Sequence, residues 1–477
     1  MLLIKKSWPF ILLAILSFAI HFAFLDYPSE VVFDEVHFGK FVAAYFTGQY
    51  YFDIHPPLGK LMIAGFVKLA GVDPVFNFEQ IGEALPTNTL FTLRFLPAFF
   101  GSLFALFFSW LAWLISRSKY TALLAGFLIL LDNAFLVQSK FILIDIFMLC
   151  FEVLALCFFF LSQRQKSFTA KWLEYLALTG IFAGLTFSVK WTGLAVIGII
   201  GAISLIKLFS KKLRAYLENE PPERQPQYSL KKRSLEFISY SALVFIVASL
   251  VYLFSFWLHF QLLTKSGPGD AFMSPAWQQE LKYGRDNVYQ PLNLWQKFLE
   301  LNKTMYTANA ELLAEHPFSS KWYSWPLNNK PVYYWNQKAP SNLPGWQAKI
   351  YFSGNPILWS LTGLGVIATL LAVFLKKIRQ KMSPAFFILL LGYFANLLPF
   401  LFIARVAFLY HYLPSAMYAT LLLSLWLINW QKSSRATLTI VVGLVAFGFI
   451  ILSPLSYGWP LPLRLEPVFE HLINFFN

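Results

Sequence analysis

The sequence predicts an all-α polytopic membrane protein, and three observations carry that prediction. The 477 residues are 57% hydrophobic and 19% aromatic but only 13% charged, well below the charged share of a soluble domain. Apolar runs long enough to cross a bilayer recur about eleven times along the chain. The net charge of +14 is carried by clusters at the ends of alternate apolar runs, as the positive-inside rule expects. They are Lys5-Lys6, Arg117/Lys119, Arg164/Lys166/Lys171, 207–233, 376–381 and Lys432/Arg435. With the charge placed this way and no basic-aromatic groove, a nucleic-acid partner is not expected.

Taken in order, Lys5-Lys6 precedes an apolar run over 8–25. It resembles a signal peptide, but its length and the lack of a small-x-small site make it an uncleaved first span. Further spans fall at 95–115, 120–137, 141–161, 173–189, 191–208, 237–258, 356–375, 384–402, 407–429 and 436–453. Alternation from an inside Lys5-Lys6 places loops 26–94 and 259–355 outside, 207–233 and 376–381 inside, and the C-terminal tail outside. The organisation is then a membrane region 1–258 containing the first outer loop 26–94, an outer loop region 259–355, and a four-helix membrane region with an outer tail, 356–477. Cys150 and Cys157 share one apolar run about 10 Å apart along a helix, too far to bridge, and read as small apolar filler.

The first outer loop concentrates the charge. Between 33 and 60 it carries Asp34, Glu35, His37, Lys40, Asp53, His55 and Lys60, expensive next to a membrane unless solvated, paired or used. Apolar residues at Phe38, Phe41, Val42, Tyr45 and Phe46 mark one helix face, with Gly48 as its stop. A second amphipathic run after Pro56-Pro57 has Leu58, Leu61, Met62, Phe66 and Leu69 on one face, with Lys60 and Lys68 off it. Two short interfacial helices are expected, a pattern that an ordinary reconnecting loop also fits.

Loop 209–236, with Glu218, Glu220 and Glu223, reads as a flexible charged connector. Loop 259–355 opens on Lys265-Ser266-Gly267-Pro268-Gly269-Asp270 and carries Trp322, Tyr323, Trp325, Tyr333, Tyr334 and Trp335. Such aromatics serve as interface anchors or line a carbohydrate or lipid-headgroup pocket. Asn302-Lys303-Thr304 matches an N-glycosylation acceptor. Arg405 and His411, at the head of a span, suit either a phosphate grip or snorkelling anchors.

One use fits this set: group transfer from a lipid-phosphate carrier to a polar acceptor at the outer face. Arg94, Lys190 and Arg405 would neutralise the departing phosphate, and a carboxylate would take the proton of an incoming hydroxyl. Neighbouring residues point to different sides of the backbone, so only one of Asp34 and Glu35 is expected to be the base. The same acids with His37 and His55 are metal-ligand types, but their spacing matches no standard set and no metal is expected. A transporter or flippase is the competing class; it would place charge mid-span and show related halves, and no such repeat is found.

The motifs Asp34-Glu35-Val36-His37-Phe38-Gly39 and Asp53-Ile54-His55-Pro56-Pro57-Leu58-Gly59-Lys60 resemble those of the protein O-mannosyltransferases, glycosyltransferase family 39. Leu93-Arg94-Phe95-Leu96-Pro97, Ile142-Leu143-Ile144-Asp145 and Val189-Lys190-Trp191-Thr192-Gly193 extend the resemblance. So do 266–274, Ser324-Trp325-Pro326-Leu327, Gly354-Asn355-Pro356 and Tyr410-His411-Tyr412-Leu413-Pro414, in that order, over most of the chain. The resemblance implies a GT-C membrane fold, a polyprenyl- or dolichyl-phosphate-mannose donor with no further cofactor, and inverting transfer to Ser or Thr hydroxyls of an outer or lumenal protein. It implies Asp34 as base, Glu35 as an essential supporting acid and Arg94 as an essential basic residue. Arg94, Lys190, Arg405 and His411 are expected at the donor phosphate, with His37, Asp53, His55, Lys60, Asp145 and Trp325 supporting. Pairing with a like or related subunit is a family habit. Eukaryotic members insert a MIR β-trefoil in the long outer loop; about ninety residues leave no room for one here, so the sequence resembles the short prokaryotic members and a plasma-membrane setting. Related transferases with lipid or glycan acceptors are the close alternative.

Overall fold

The computed structural model describes residues 2–221, 223, 229–311, 316–337, 344–429 and 435–473. Among these, nine helical segments are long and apolar enough to span a membrane. They are carried by α4 (Thr87–Ser116), α7 (Asp145–Gln163), α8 (Ala170–Val189), α9 (Leu194–Phe209), α11 (Leu230–Leu262), α14 (Pro356–Phe374), α16 (Pro384–Leu397), α17 (Leu413–Asn429) and α18 (Arg435–Tyr457). Helix α1 (Leu2–Phe22) has a shorter apolar stretch, Trp8–Phe22, and packs on α4. Lys432, one of the expected inside cations, lies outside the described residues.

The expected span 120–137 is not one helix. It is α5 (Lys119–Leu130) and α6 (Asn133–Lys140), bent by 62°. Asp132 makes the break: its side chain caps α6 by accepting from Ala134 N at 2.9 Å, and it also accepts from the Trp359 indole N–H at 2.6 Å. An N-cap residue leaves helical geometry to do this. Helix α11 begins at residue 230 rather than 237, and its 33 residues span about 50 Å, longer than a bilayer is thick. Loop 209–236 is more ordered than a flexible connector. It contains α10 (Lys211–Glu218), capped by Ser210, and Lys207 pairs with Glu218 at 3.1 Å and Glu236 at 3.3 Å. Positions 222 and 224–228 of that loop lie outside the described residues.

The first outer loop forms the two expected helices, α2 (Glu35–Thr47) and α3 (Leu58–Leu69), packed on each other. Gly48 ends α2 at φ 78. Lys60 is not off the apolar face: it is fully buried, because it pairs with Asp53 and donates to His55 O at 2.8 Å. The long outer loop holds α12 (Pro275–Tyr283), α13 (Leu294–Ala310) and a hairpin of β1 (Val332–Gln337) and β2 (Trp346–Phe352), joined by β3 (Leu461–Pro462) from the tail. This small antiparallel sheet departs from a purely helical expectation. Trp325, Tyr334 and Trp335 are fully buried, so they are not interface anchors, whereas Tyr323 is exposed. Asn302, the possible glycan acceptor, sits within α13 with its amide engaged by Tyr252 and Phe298.

Two features lock the outer loops together. Tyr50 N–H donates to Lys265 O at 2.8 Å and Gly269 N–H to Tyr50 O at 3.0 Å. Gly269 lies so close to this segment that an added Cβ would be 2.4 Å from Tyr51 C, which explains glycine there. The second feature is a buried ion pair. Arg94 and Glu35 are both fully buried; Arg94 Nε and Nη2 donate to Glu35 Oε1 and Oε2 at 2.8 Å each. Its remaining donors reach Pro28 O at 2.8 Å, Glu30 O at 2.9 Å and Leu25 O at 3.4 Å. Glu35 Oε2 also accepts from Val32 N at 2.8 Å and Oε1 from Ile142 N at 3.0 Å. Every guanidinium N–H and both lone pairs of each carboxylate oxygen are therefore spoken for.

Two outcomes follow for thermal denaturation in detergent. Gly269→Ala loses about 1–3 kcal/mol, since backbone rather than a flexible side chain must move. Arg94→Met loses about 3–5 kcal/mol by leaving Glu35 buried and unpaired, and the double change Glu35→Leu/Arg94→Met recovers most of it.

Candidate functional site

Asp34 stands at the N-cap of α2, with φ −69 and ψ 0, yet its side chain makes no capping hydrogen bond. A capping aspartate normally turns its carboxylate onto the first helical amides. Here His37 N and Phe38 N donate instead toward the Asp34 backbone carbonyl, at 2.9 Å each. The preceding Phe33 is held at φ 48, a left-handed conformation that a bulky residue rarely adopts. Its N–H donates to Tyr334 O at 3.0 Å, and its ring stacks on Tyr334 at 4.0 Å. Strain of this kind persists where the surroundings over-determine it. Burial pushes the Asp34 carboxyl up to about 7; the charges of Asp145 and Asp53 add to the rise and Lys190 opposes it.

Lys190 leaves α8 in extended conformation, φ −147, and contacts both oxygens of Asp145 at 2.8 Å. Asp145 opens α7 and accepts a further hydrogen bond from Gln138 Nε2 at 2.8 Å. Gln138 Oε1 accepts from the Tyr334 hydroxyl at 2.6 Å. Tyr334 thus touches both sides of the site: its backbone and ring hold the residue before Asp34, and its hydroxyl orders the Gln138–Asp145–Lys190 chain.

Lys190, Asp145, His55, Arg405 and His411 line one cavity of about 620 Å³. Burial, then the charges of Lys190, Lys60, Arg405 and His411, hold the His55 imidazole well below its ordinary pKa, so it is neutral. Arg405 donates to Asn309, and Asn309 Nδ2 in turn holds Ile54 O at 2.8 Å. His411 Nδ1 lies 3.0 Å from Phe408 O, and its ring stacks on buried Trp325 at 5.9 Å. Much of the remaining lining is apolar and includes Leu194, Phe402 and Ile403, which are exposed. Two cations against one carboxylate within a largely apolar lining accommodate an amphipathic anion.

Three of the four residues expected at a phosphate, Lys190, Arg405 and His411, share this cavity. Arg94 does not: its nitrogens are consumed by Glu35 and the carbonyls of 25–30, and Glu35 is equally consumed. Asp145 and His55 line the cavity, Trp325 backs His411, and Asp53 with Lys60 forms a buried pair beside it. His37 projects outward from α2 and is exposed. Asn309 and Gln138 were not singled out from the sequence, and Tyr334 stood only within the aromatic series of the long loop. Tyr410, whose ring lies 5.5 Å from Lys190 Nζ, stood within a quoted motif. Among the described residues, no group of three or more His, Cys, Asp or Glu is arranged to hold a metal ion.

The sequence pattern described as dolichyl-phosphate-mannose-protein mannosyltransferase matches residues 11–264, and the C-terminal four-transmembrane region of protein O-mannosyltransferase matches 294–468. Protein O-mannosyltransferase 1 of Drosophila pseudoobscura pseudoobscura is 34% identical over 289 residues, 60% of this chain and 30% of that protein. Dolichyl-phosphate-mannose–protein mannosyltransferase 4 of Saccharomyces cerevisiae is 34% identical over 278 residues, 57% of this chain and 35% of that protein. The chain spans about a third of the length of these curated relatives. Among solved structures, a chain of the S. cerevisiae protein O-mannosyltransferase Pmt1-Pmt2 complex bound to the sugar donor matches with a TM-score of 0.82 at 19% identity, covering 95% of this chain and 90% of that one. ArnT from Cupriavidus metallidurans bound to undecaprenyl phosphate matches at 0.55 and 15% identity, over 94% of this chain and 65% of that one. At these identities the likeness is one of fold, the GT-C membrane architecture. The curated relatives are from fly and yeast, so the narrower prokaryotic assignment drawn from loop length does not follow from them. With a family pattern matched over more than half of its length, the chain belongs to the dolichyl-phosphate-mannose-protein mannosyltransferase family.

Proposed function

We propose that the protein transfers mannose from a polyprenyl-phosphate carrier to Ser or Thr hydroxyls of proteins, with inversion and with Asp34 as general base. The observation that carries this reading is the Asp34 carboxylate, uncapped at the start of α2 and raised to about 7 within the field of Lys190. In this reading Asp34 takes the proton of the acceptor hydroxyl as its oxygen attacks the anomeric carbon from the side opposite the phosphate. The bond from that carbon to the phosphate oxygen breaks, and its electron pair leaves with the carrier. Lys190 and Arg405, held by Asp145 and Asn309, offset the charge that develops on the phosphate. His411 and neutral His55 complete the pocket wall. Glu35 and Arg94 serve as scaffold, which keeps Glu35 a supporting acid and takes Arg94 away from the donor phosphate. The chain's own cations, rather than a metal, do the neutralising, so a chelator leaves the rate unchanged.

The reading places Asp34 and Lys190 in the membrane region 1–258 and adds Arg405 and His411 from the C-terminal membrane region, the site facing the outside of a plasma membrane or the lumen of the endoplasmic reticulum. Pairing with a second family subunit belongs to the same proposal.

The test is transfer of mannose from polyprenyl-phosphate-mannose to a Ser/Thr-rich peptide by protein purified in lipid. Asp34→Asn lowers kcat by at least about a hundredfold with folding intact. For wild type, kcat/KM rises about tenfold per pH unit below the Asp34 pKa and flattens above it, because only the ionised carboxylate accepts the proton. Lys190→Gln weakens carrier-phosphate binding about tenfold or more, as expected for a charge-assisted contact. Tyr334→Phe lowers kcat by about tenfold at nearly unchanged fold, by freeing Gln138 from the Asp145 chain. Carrier hydrolysis without peptide labelling would point instead to a lipid or glycan acceptor, and no interaction with any phosphate-linked lipid would restore the transporter reading.

A further inference from the structure

His259 on α11 takes no part in the cavity, yet it is buried to 3% exposure. Its Nδ1 lies 2.8 Å from the Tyr45 hydroxyl. That hydroxyl accepts the Tyr51 O–H at 2.7 Å, so its own proton is free to be donated to Nδ1. An accepting Nδ1 fixes the tautomer: in the neutral ring the proton sits on Nε2. Nε2–H is therefore a donor, and it has no hydrogen-bond partner among the described residues. A buried donor left so costs about 1–3 kcal/mol.

His259 lines a second, small cavity of about 10 Å³, shared with Asp53, Lys60, His55 and Tyr51. That is the space of one water, provided it finds two to four polar partners. They are at hand. Lys60 Nζ has three N–H bonds and spends two of them on Asp53 Oδ2 and His55 O. Asp53 Oδ1 has no side-chain donor among the described residues.

We propose that one ordered water occupies this cavity, accepting from His259 Nε2–H and the third Lys60 N–H and donating to Asp53. His259 is thereby a positioning residue. Through the water it fixes the Asp53–Lys60 pair, which holds the turn 53–55, keeps the Asp53 charge within reach of Asp34 and carries His55 into the wall of the donor cavity. The functional half of this inference rests on the mannosyl-transfer reading; the water does not.

The experiment has two arms. In an experimental structure of the full chain in lipid, at a resolution that shows ordered waters, density stands within about 3 Å of His259 Nε2; clear protein density there without it overturns the proposal. In the transfer assay, His259→Phe keeps the ring volume and loses both nitrogens, and kcat falls about tenfold while the donor KM stays within about twofold. His259→Gln places an amide near the position of Nε2 and retains activity to within about threefold. A packing role predicts the reverse order, Phe above Gln, and that order overturns the proposal even if both variants lose stability. If His259→Phe does not fold, the water density and the activity of His259→Gln still decide. Wild-type protein that transfers no mannose sinks the transfer reading alone, leaving the density arm to judge the water.

Discussion

The Glu35–Arg94 pair is the interaction on which the outer half of the molecule depends. An ion pair taken wholly out of water stabilises little by itself, because the desolvation of both charges offsets their attraction. Its worth is geometric. Arg94 belongs to a membrane helix, and its fork gathers the carbonyls of 25–30, while Glu35 gathers the amides of Val32 and Ile142. Two separate backbone stretches, 25–32 and the one at Ile142, are pinned to one helix face by groups with no unmade bonds left. Any slip of α2 would strand a charge in a hydrocarbon setting.

This pinning divides the labour between two adjacent carboxylates. Glu35 is committed inward, and the backbone at Phe33 then has to turn sharply enough to send the Asp34 side chain elsewhere. The left-handed Phe33 and its stack on Tyr334 are the local cost of that turn. Tyr334 comes from the long outer loop, so the geometry of the first loop is completed by chain that lies hundreds of residues later. The same tyrosine orders Gln138, Asp145 and Lys190, which keeps the acid and the cation in register with each other.

Much of the architecture was legible from periodicity and composition. Hydropathy locates the spans, and the apolar stripes of 38–46 and 58–69 with Gly48 and Pro56-Pro57 mark α2 and α3, because these signals are local. The break at Asp132 was hidden inside an apolar run, since the cap it makes on α6 is buried and completed by the indole of Trp359 from another helix. The hairpin of β1 and β2 was masked by its aromatic content, which reads equally as an interface belt. Within the site, the clustered charges of the first loop were visible as an anomaly, but who pairs with whom was not. Arg94 looked like a phosphate ligand and Lys60 like a supporting charge off the apolar face of its helix, because a one-dimensional pattern gives residue type without partner. Asn309 carried no signal at all, standing on a helix whose sequence says only that it is amphipathic.

The bend between α5 and α6 sets the depth at which the chemistry stands. Twelve residues of α5 rise about 18 Å, and the eight of α6, tilted by 62°, add only about 6 Å more along the same direction. That is several ångströms short of a full hydrocarbon core of about 30 Å. With the start of α5 at the inner boundary, segment 141–144, which leads into Asp145 at the start of α7, ends short of the outer boundary of an unthinned core. On the transferase reading a carrier phosphate meets Lys190 with little lifting, and the acceptor must come down to it. On that reading the geometry favours acceptor segments extended enough to reach the depth of Lys190 over hydroxyls held on a folded surface.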